Sequence, residues 1–481
     1  MLFNSIDFAI FLPIVFVLYW FVFQRNLKLQ NFFLLIVSYV FYGWWDWRFL
    51  SLIIFSSFVD YSVGIGLSKT DDRQKRKLLL LTSIFINLGF LGFFKYYNFF
   101  LENFVNAFSF FGHPISQQGL SIILPVGISF YTFQTLSYSI DVYKRKLEPT
   151  KDIIAFFSFV SFFPQLVAGP IERASNLLPQ FYKKRTFKYD KAVDGMRQIL
   201  WGLFKKIVIA DNCAIYVNAV FGNTSEYTSS TLVLAVILFA LQIYGDFSGY
   251  SDIAIGVSKL FDFKLMKNFA FPYFSRDIAE FWRRWHISLS TGFRDYVYIP
   301  LGGSRVSTLK KVRNIFIVFI VSGFWHGANW TFIVWGAINA LAFLPLLLFG
   351  KNRTHIDAMG KIPKLKELFL MAGTFTMTCF AWIFFRSESI LSAFIYIKSI
   401  FSWSLFTMPM SVTGISRKLI ILLSILFVIV EWFQKDKEFG LDFRGSLFKI
   451  PINRWIVYVL MLFIIYYAGK FNHSAFIYFQ F

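Results

Sequence analysis

Apolar runs of near 20 residues recur along the whole chain, separated by short polar loops. A run of that length crosses the hydrocarbon core as a helix, because backbone groups in lipid must pair within their own segment. The alternating pattern of an outer-membrane barrel is absent. The runs predict crossings at 8–23, 31–45, 49–67, 78–94, 122–143, 195–219, 231–253, 314–328, 330–349, 367–385, 418–433 and 455–469. The expected fold class is an all-α polytopic membrane protein with about 12 crossings. The run 8–23 has no basic residue before it and no small-residue cleavage site after it, and reads as a retained helix. Three stretches do not fit simple crossings. Residues 96–111 are aromatic enough for the membrane interface. Residues 153–168 have basic flanks on both sides, which suggests a re-entrant segment covered by protein. Residues 259–313 are too charged to span lipid alone.

Charge gives the orientation. The basic loops Arg25 to Gln30, Lys69 to Lys77, Lys144 to Lys151 and Lys351 to Lys366 are placed in the cytoplasm. Both termini, including the tail 470–481, are then expected outside. The loop Trp44-Trp45-Asp46-Trp47-Arg48 reads as an aromatic belt at the outer interface. A net charge of +21 on a soluble domain would suggest nucleic acid, but the lysines and arginines here follow the positive-inside pattern. Phe occurs 66 times and 57% of residues are hydrophobic, which a soluble domain could not bury. The two cysteines, Cys213 and Cys379, imply no disulfide framework.

Five histidines exist, and two lie in or beside apolar segments. His326 follows Arg313 on one predicted helix, which sets it roughly 20 Å from that charge. Burial disfavours the imidazolium, and a neutral imidazole is what a general base needs. A structural histidine, bonded to a backbone carbonyl or to Asn329, is an equal alternative. His286 follows Arg283 and Arg284 and reads as a polar group at a cytoplasmic mouth, or as a snorkelling side chain. Arg283, Arg284, Arg294, Arg305 and Lys310 form a cationic collar for a phosphate-bearing donor or for lipid headgroups. Asp246 and Asp252, at the end of the 231–253 run, either orient an imidazole or arginine or simply terminate a helix. Two histidines with no thiolate make a poor zinc site, and no P-loop or Gly-x-Ser-x-Gly elbow occurs. The final Phe476-Ile477-Tyr478-Phe479-Gln480-Phe481 is an interfacial anchor, or a flexible hydroxyl within reach of a tunnel.

Asp277-Ile278-Ala279-Glu280-Phe281-Trp282-Arg283-Arg284-Trp285-His286-Ile287-Ser288-Leu289-Ser290, then Phe293-Arg294-Asp295-Tyr296 and Tyr298-Ile299-Pro300-Leu301-Gly302-Gly303, resembles the membrane-bound O-acyltransferase family. Phe324-Trp325-His326-Gly327 is similar to that family's second histidine motif, and Asp246-Phe247-Ser248-Gly249-Tyr250-Ser251-Asp252 also fits. The resemblance covers nearly the whole chain and is strongest to the bacterial polysaccharide branch. Gly292 stands where relatives often carry a bulky aromatic.

The resemblance implies one transmembrane domain over 1–481, a histidine-bearing catalytic region over 259–349 and a ring of helices around a tunnel. It implies His326 as the catalytic histidine and His286 as the second conserved one. Donor contacts are expected from Arg283, Arg284, Trp285, Arg294, Asp295 and Asn329, with Asp246 and Asp252 in support. The tail pattern Phe476-x-Tyr478-x-x-Phe481 resembles an acyl-carrying motif, with Tyr478 as acceptor. The implied reaction takes acetyl from acetyl-CoA at the inner face of a bacterial cytoplasmic membrane. A periplasmic SGNH-type esterase-fold partner would deliver it to a cell-envelope polysaccharide. No bound cofactor, metal or nucleic acid is implied. D-alanyl transfer to teichoic acid and a proton-coupled transporter are the rivals, together with a lipid or protein O-acyltransferase of the same family.

Overall fold

The computed structural model describes residues 1–110, 119–167, 169–356, 363–443, 450–471 and 476–477. Among these the secondary structure is helical apart from one short bridge, Val412 with Ile415. Six helical stretches are long and apolar enough to cross a membrane: Leu27–Ser68, Arg73–Phe110, Ser229–Leu260, Trp330–Leu348, Leu365–Arg386 and Pro451–Ala468. The chain is therefore a multi-pass membrane protein. The residues divide into two compact units, Met1–Gly195 with Val257–Met266, and Met196–Gly256 with Lys267–Phe481.

The first unit holds α1 (Ile6–Val17), α2 (Leu27–Asp46), α3 (Leu50–Ser68), α4 (Arg73–Leu91), α5 (Tyr97–Phe110), α6 (Ile128–Tyr143) and α7 (Ile153–Ser161). Asp46 breaks the α2–α3 run: its backbone is extended and its carboxylate accepts from the Arg48 N–H. The expected aromatic turn follows, with Trp44, Trp45 and Trp47 exposed. The aromatic stretch after residue 96 is the helix α5, with Phe100, Phe104 and Phe108 exposed. The segment expected to be re-entrant is broken. Helix α7 stops at Ser161, Phe162 leaves the helical conformation, and a single helical turn Phe163–Leu166 follows. Pro164 lacks the N–H that a continuous helix would need. Phe162, Phe163 and Leu166 are buried, so protein covers the non-helical backbone. Asp60, a buried carboxyl in α3 that no local pattern marks, accepts from Ser83, Ser139 and Asn87. Three such donors replace the water that the carboxyl loses on burial.

The second unit holds α8 (Tyr189–Leu203, from Met196 onward), α9 (Asp211–Gly222), α10 (Ser229–Leu260, up to Gly256), α11 (Ile278–Arg284), α12 (Ile287–Phe293), α13 (Thr308–His326), α14 (Trp330–Leu348), α15 (Leu365–Arg386), α16 (Ile390–Ile400), α17 (Arg417–Phe433) and α18 (Pro451–Ala468). Helices α13 and α14 form the hairpin expected around residue 326, with α13 beginning earlier, at Thr308. Their close approach depends on glycine. A Cβ on Gly336 would lie 2.3 Å from the Phe319 carbonyl oxygen, and one on Gly323 would lie 2.2 Å from that of Phe332. Small residues at such a crossing let backbones meet, which is the main source of helix association in lipid. Gly336→Ala is expected to cost about 1–3 kcal/mol, seen as a lower melting temperature in detergent. Gly373 lies in α15 with open space around it, so Gly373→Ala should leave melting unchanged or slightly raised.

One expectation needs correction. Helix α10 does not end near residue 253 but runs on to Leu260, so Asp246 and Asp252 lie inside it. They do not terminate a helix.

Candidate functional site

The site is built on a reversal of the chain. Residues 268–270 run beside 284–287, with Ile287 N–H donating to the Asn268 carbonyl (2.9 Å) and Ala270 N–H to that of Arg284 (2.9 Å). At the turn His286 is held at φ +43°, a left-handed conformation costly for a residue with a Cβ. It sits at the start of α12 and is 2% exposed. It does not lie at an open mouth, as its neighbours Arg283 and Arg284 suggest, but is enclosed, because the chain between two short helices folds back into the bundle. Its Nδ1 lies 3.0 Å from Asn268 Oδ1, and Phe247 packs edge-on against its ring at 4.6 Å. Burial, with His326 beside it, holds its imidazole well below the ordinary histidine value, so it is neutral at physiological pH.

His326 is the last residue of α13 and is 4% exposed. Gly327 follows it because a Cβ there would lie 2.0 Å from the Phe332 ring. The imidazole is walled by Trp335 and Phe385, with ring centroids at 5.3 and 5.6 Å. Its ring centroid lies 6.3 Å from that of His286. The two histidines, 40 positions apart in the chain, therefore share one buried, mostly aromatic chamber.

A cavity of about 440 Å³ lies between α11, α12, α13 and α14. Trp282, Phe319 and Ser322 line it on the bundle side, and Arg283, Arg294 and Arg353 also contribute. Ser322 is one helical turn before His326, so the cavity approaches the histidine chamber along α13.

Only part of the expected collar reaches this cavity. Arg284 turns away and pairs with Glu280 at 2.7 Å. Arg305 and Lys310 do not line it. Arg294 lines it while bonding Asp295 at 2.7 Å, and Arg283 lines it while donating to the carbonyls of Asn352 and His355. Asp295 acts through that arginine and does not line the cavity. Trp285 is a core residue, stacked on Phe281 and packed against Trp382. Asn329 caps α14 by accepting from the Thr331 N–H, and its amide donates to the Glu388 carbonyl. Neither Trp285 nor Asn329 lines the cavity.

The supporting aspartates have other partners. Asp252 pairs with Lys205 at 2.5 Å and accepts from Gln198. Asp246 pairs with Lys206 at 2.8 Å, and the same ammonium lies 2.8 Å from Asp211. The other oxygen of Asp246 accepts from the backbone N–H of Ile477 at 2.7 Å. Phe476 is buried against Phe247 and Tyr250, at 5.7 and 4.7 Å. These two tail residues thus lie inside the unit, and Phe247 touches both Phe476 and His286. Tyr478 and Phe481 lie outside the described residues.

The sequence matches the model of the MBOAT family, membrane-bound O-acyltransferases, over residues 147–387. A protein of Pseudomonas aeruginosa named "Probable alginate O-acetylase AlgI" is 39% identical, over 84% of this chain and 75% of its own length. The protein of that name in Pseudomonas putida is 34% identical over the whole of both chains. The "Peptidoglycan O-acetyltransferase" of Helicobacter pylori is 36% identical over 83% of this chain and 79% of its own. The chain belongs to the membrane-bound O-acyltransferase family.

The family match spans both histidines of this membrane-bound O-acyltransferase. Asn268, Trp335 and Phe385, beside the two histidines, are ordinary polar or aromatic residues with no local pattern to mark them. Lys206 did carry a signal: with Lys205 it interrupts the apolar run 195–219, and a cation at membrane depth needs a partner.

Proposed function

We propose that this acyltransferase takes an acetyl group from acetyl-CoA on the cytoplasmic side and supplies it for O-acetylation of an extracytoplasmic polysaccharide. The observation that carries the reading is the buried histidine pair, with His326 one helical turn beyond Ser322 of an arginine-bordered cavity. The relatives named for alginate and peptidoglycan O-acetylation support the acceptor class. The guanidinium groups of Arg283, Arg294 and Arg353 suit the phosphates of a CoA donor, and the apolar wall suits its thioester end.

His326 acts as the general base. It removes the proton of an acceptor hydroxyl as the oxygen attacks the thioester carbonyl. The carbon–sulfur bond breaks, and the CoA sulfur leaves with the proton that His326 held. Tyr478 is the proposed first acceptor, and its acetyl ester passes the group to a sugar hydroxyl through a periplasmic esterase-fold partner. The placement of Phe476 and Ile477 supports this, because Ile477 directly precedes Tyr478 and is bonded beside Phe247, which touches His286. The arrangement answers a transport problem, since CoA stays inside while the polysaccharide lies outside.

Ser322→Phe should obstruct the cavity just before His326, lowering kcat/KM for acetyl-CoA about 10–100-fold, whereas Ser322→Ala should leave it within about twofold. Equal rates for both variants would remove this cavity from the donor route.

A further inference from the structure

We propose that Asn268 is a positioning residue that fixes which nitrogen of His286 carries the proton. This rests on the acyl-transfer reading of the histidine pair. Asn268 is fully buried and its backbone is tied to the His286 turn by the Ile287 N–H. Its side-chain orientation follows from one contact. The backbone N–H of Ser288 lies 3.4 Å from Oδ1, and a backbone N–H can only donate, so that atom is the carbonyl oxygen. The hydroxyl of Ser288 donates to the same oxygen at 2.9 Å. On the other side the amide nitrogen donates to Ser251 Oγ at 3.1 Å.

An oxygen acceptor 3.0 Å from His286 Nδ1 requires the proton to sit on Nδ1. The neutral ring then carries its lone pair on Nε2. In a site with two buried imidazoles, this selects one tautomer out of the mixture that a free ring would adopt. The left-handed backbone at His286 and the Asn268 bond together define the ring's place and its accepting nitrogen. His326 is the ionisable ring beside His286, and the small polar cavity that Asn268 lines also holds Lys205, Tyr244, Asp252, Lys267, Glu431 and Glu438.

The test uses the full-length protein in lipid nanodiscs, with acetyl-CoA-dependent release of the CoA thiol measured across pH. Asn268→Ala is expected to lower the rate constant about 10–100-fold with the KM for acetyl-CoA unchanged, because a ring free to turn beside His326 loses the geometry of the pair. Asn268→Asp keeps the oxygen acceptor and adds a negative charge. It should recover most of the rate at high pH and move the acid limb of the profile upward, because a carboxylate favours the imidazolium. Wild-type rate and limb in Asn268→Ala would overturn the proposal. So would Asn268→Asp as impaired as alanine with no movement of the limb, since that marks a packing role. His326→Ala run alongside separates the two levels. If it keeps full activity, the acyl-transfer reading itself fails. If it is inactive while Asn268→Ala is normal, only the role of Asn268 fails.

Discussion

His326→Ala is expected to lower acetyl transfer by about 10²–10⁴-fold while the protein still folds and purifies as a monodisperse species. The rate loss follows from position: the imidazole closes α13 between Trp335 and Phe385, one helical turn beyond Ser322 of the cavity wall. Water is a poor substitute for a base in such a place, because aromatic side chains surround it. The fold should survive because the close glycine packing of α13 on α14 does not involve the imidazole. His326→Gln is the sharper variant. It keeps hydrogen-bonding capacity at similar size but cannot take up a proton at neutral pH, so it should be nearly as slow as alanine. Release of CoA thiol by each variant, set beside its melting curve, checks both halves.

Lys206→Met should destabilise the second unit by about 3–5 kcal/mol, the usual result of removing one partner from a buried ion group. Lys206 is 1% exposed and its ammonium bridges Asp211 and Asp246. Methionine would fill the volume and leave two buried carboxylates facing each other. Asp246 also holds the N–H of Ile477, so its rearrangement should loosen the tail. Thermal unfolding in detergent reads the first effect, and protease cleavage of the tail reads the second. Adding Asp211→Asn and Asp246→Asn to Lys206→Met should restore part of the melting temperature, because the amides remove the uncompensated charge. A single Lys206→Met variant as stable as the parent would show that this charge cluster contributes nothing to the unit.

The histidine at position 326 was legible because a charge-capable group inside an apolar run stands out, and its helix is a local feature. The hairpin of 314–328 with 330–349 was readable from two adjoining apolar runs, and the covered segment 153–168 from the basic residues on both its flanks. What the sequence hid depends on distant residues. His286 looked like a polar group at a mouth because its neighbours Arg283 and Arg284 are charged. Its burial arises from the reversal between 268–270 and 284–287, which no periodicity encodes. The arginine collar looked uniform as a string of like charges, yet Glu280 captures Arg284 and leaves Arg283 and Arg294 at the cavity. Asp246 looked like a helix end because it lies where the apolar run 231–253 gives out. The helix continues because its glycines pack closely, a Cβ on Gly249 meeting the Gly202 carbonyl at 2.9 Å.

The most direct test is mass spectrometry of the purified protein after incubation with acetyl-CoA, with His326→Ala and Tyr478→Phe treated in parallel. An adduct of about 42 Da is expected on the C-terminal peptide of the parent, absent from both variants. No adduct together with no His326-dependent release of CoA, with a polysaccharide acceptor present, would rule out acyl transfer through His326 and Tyr478.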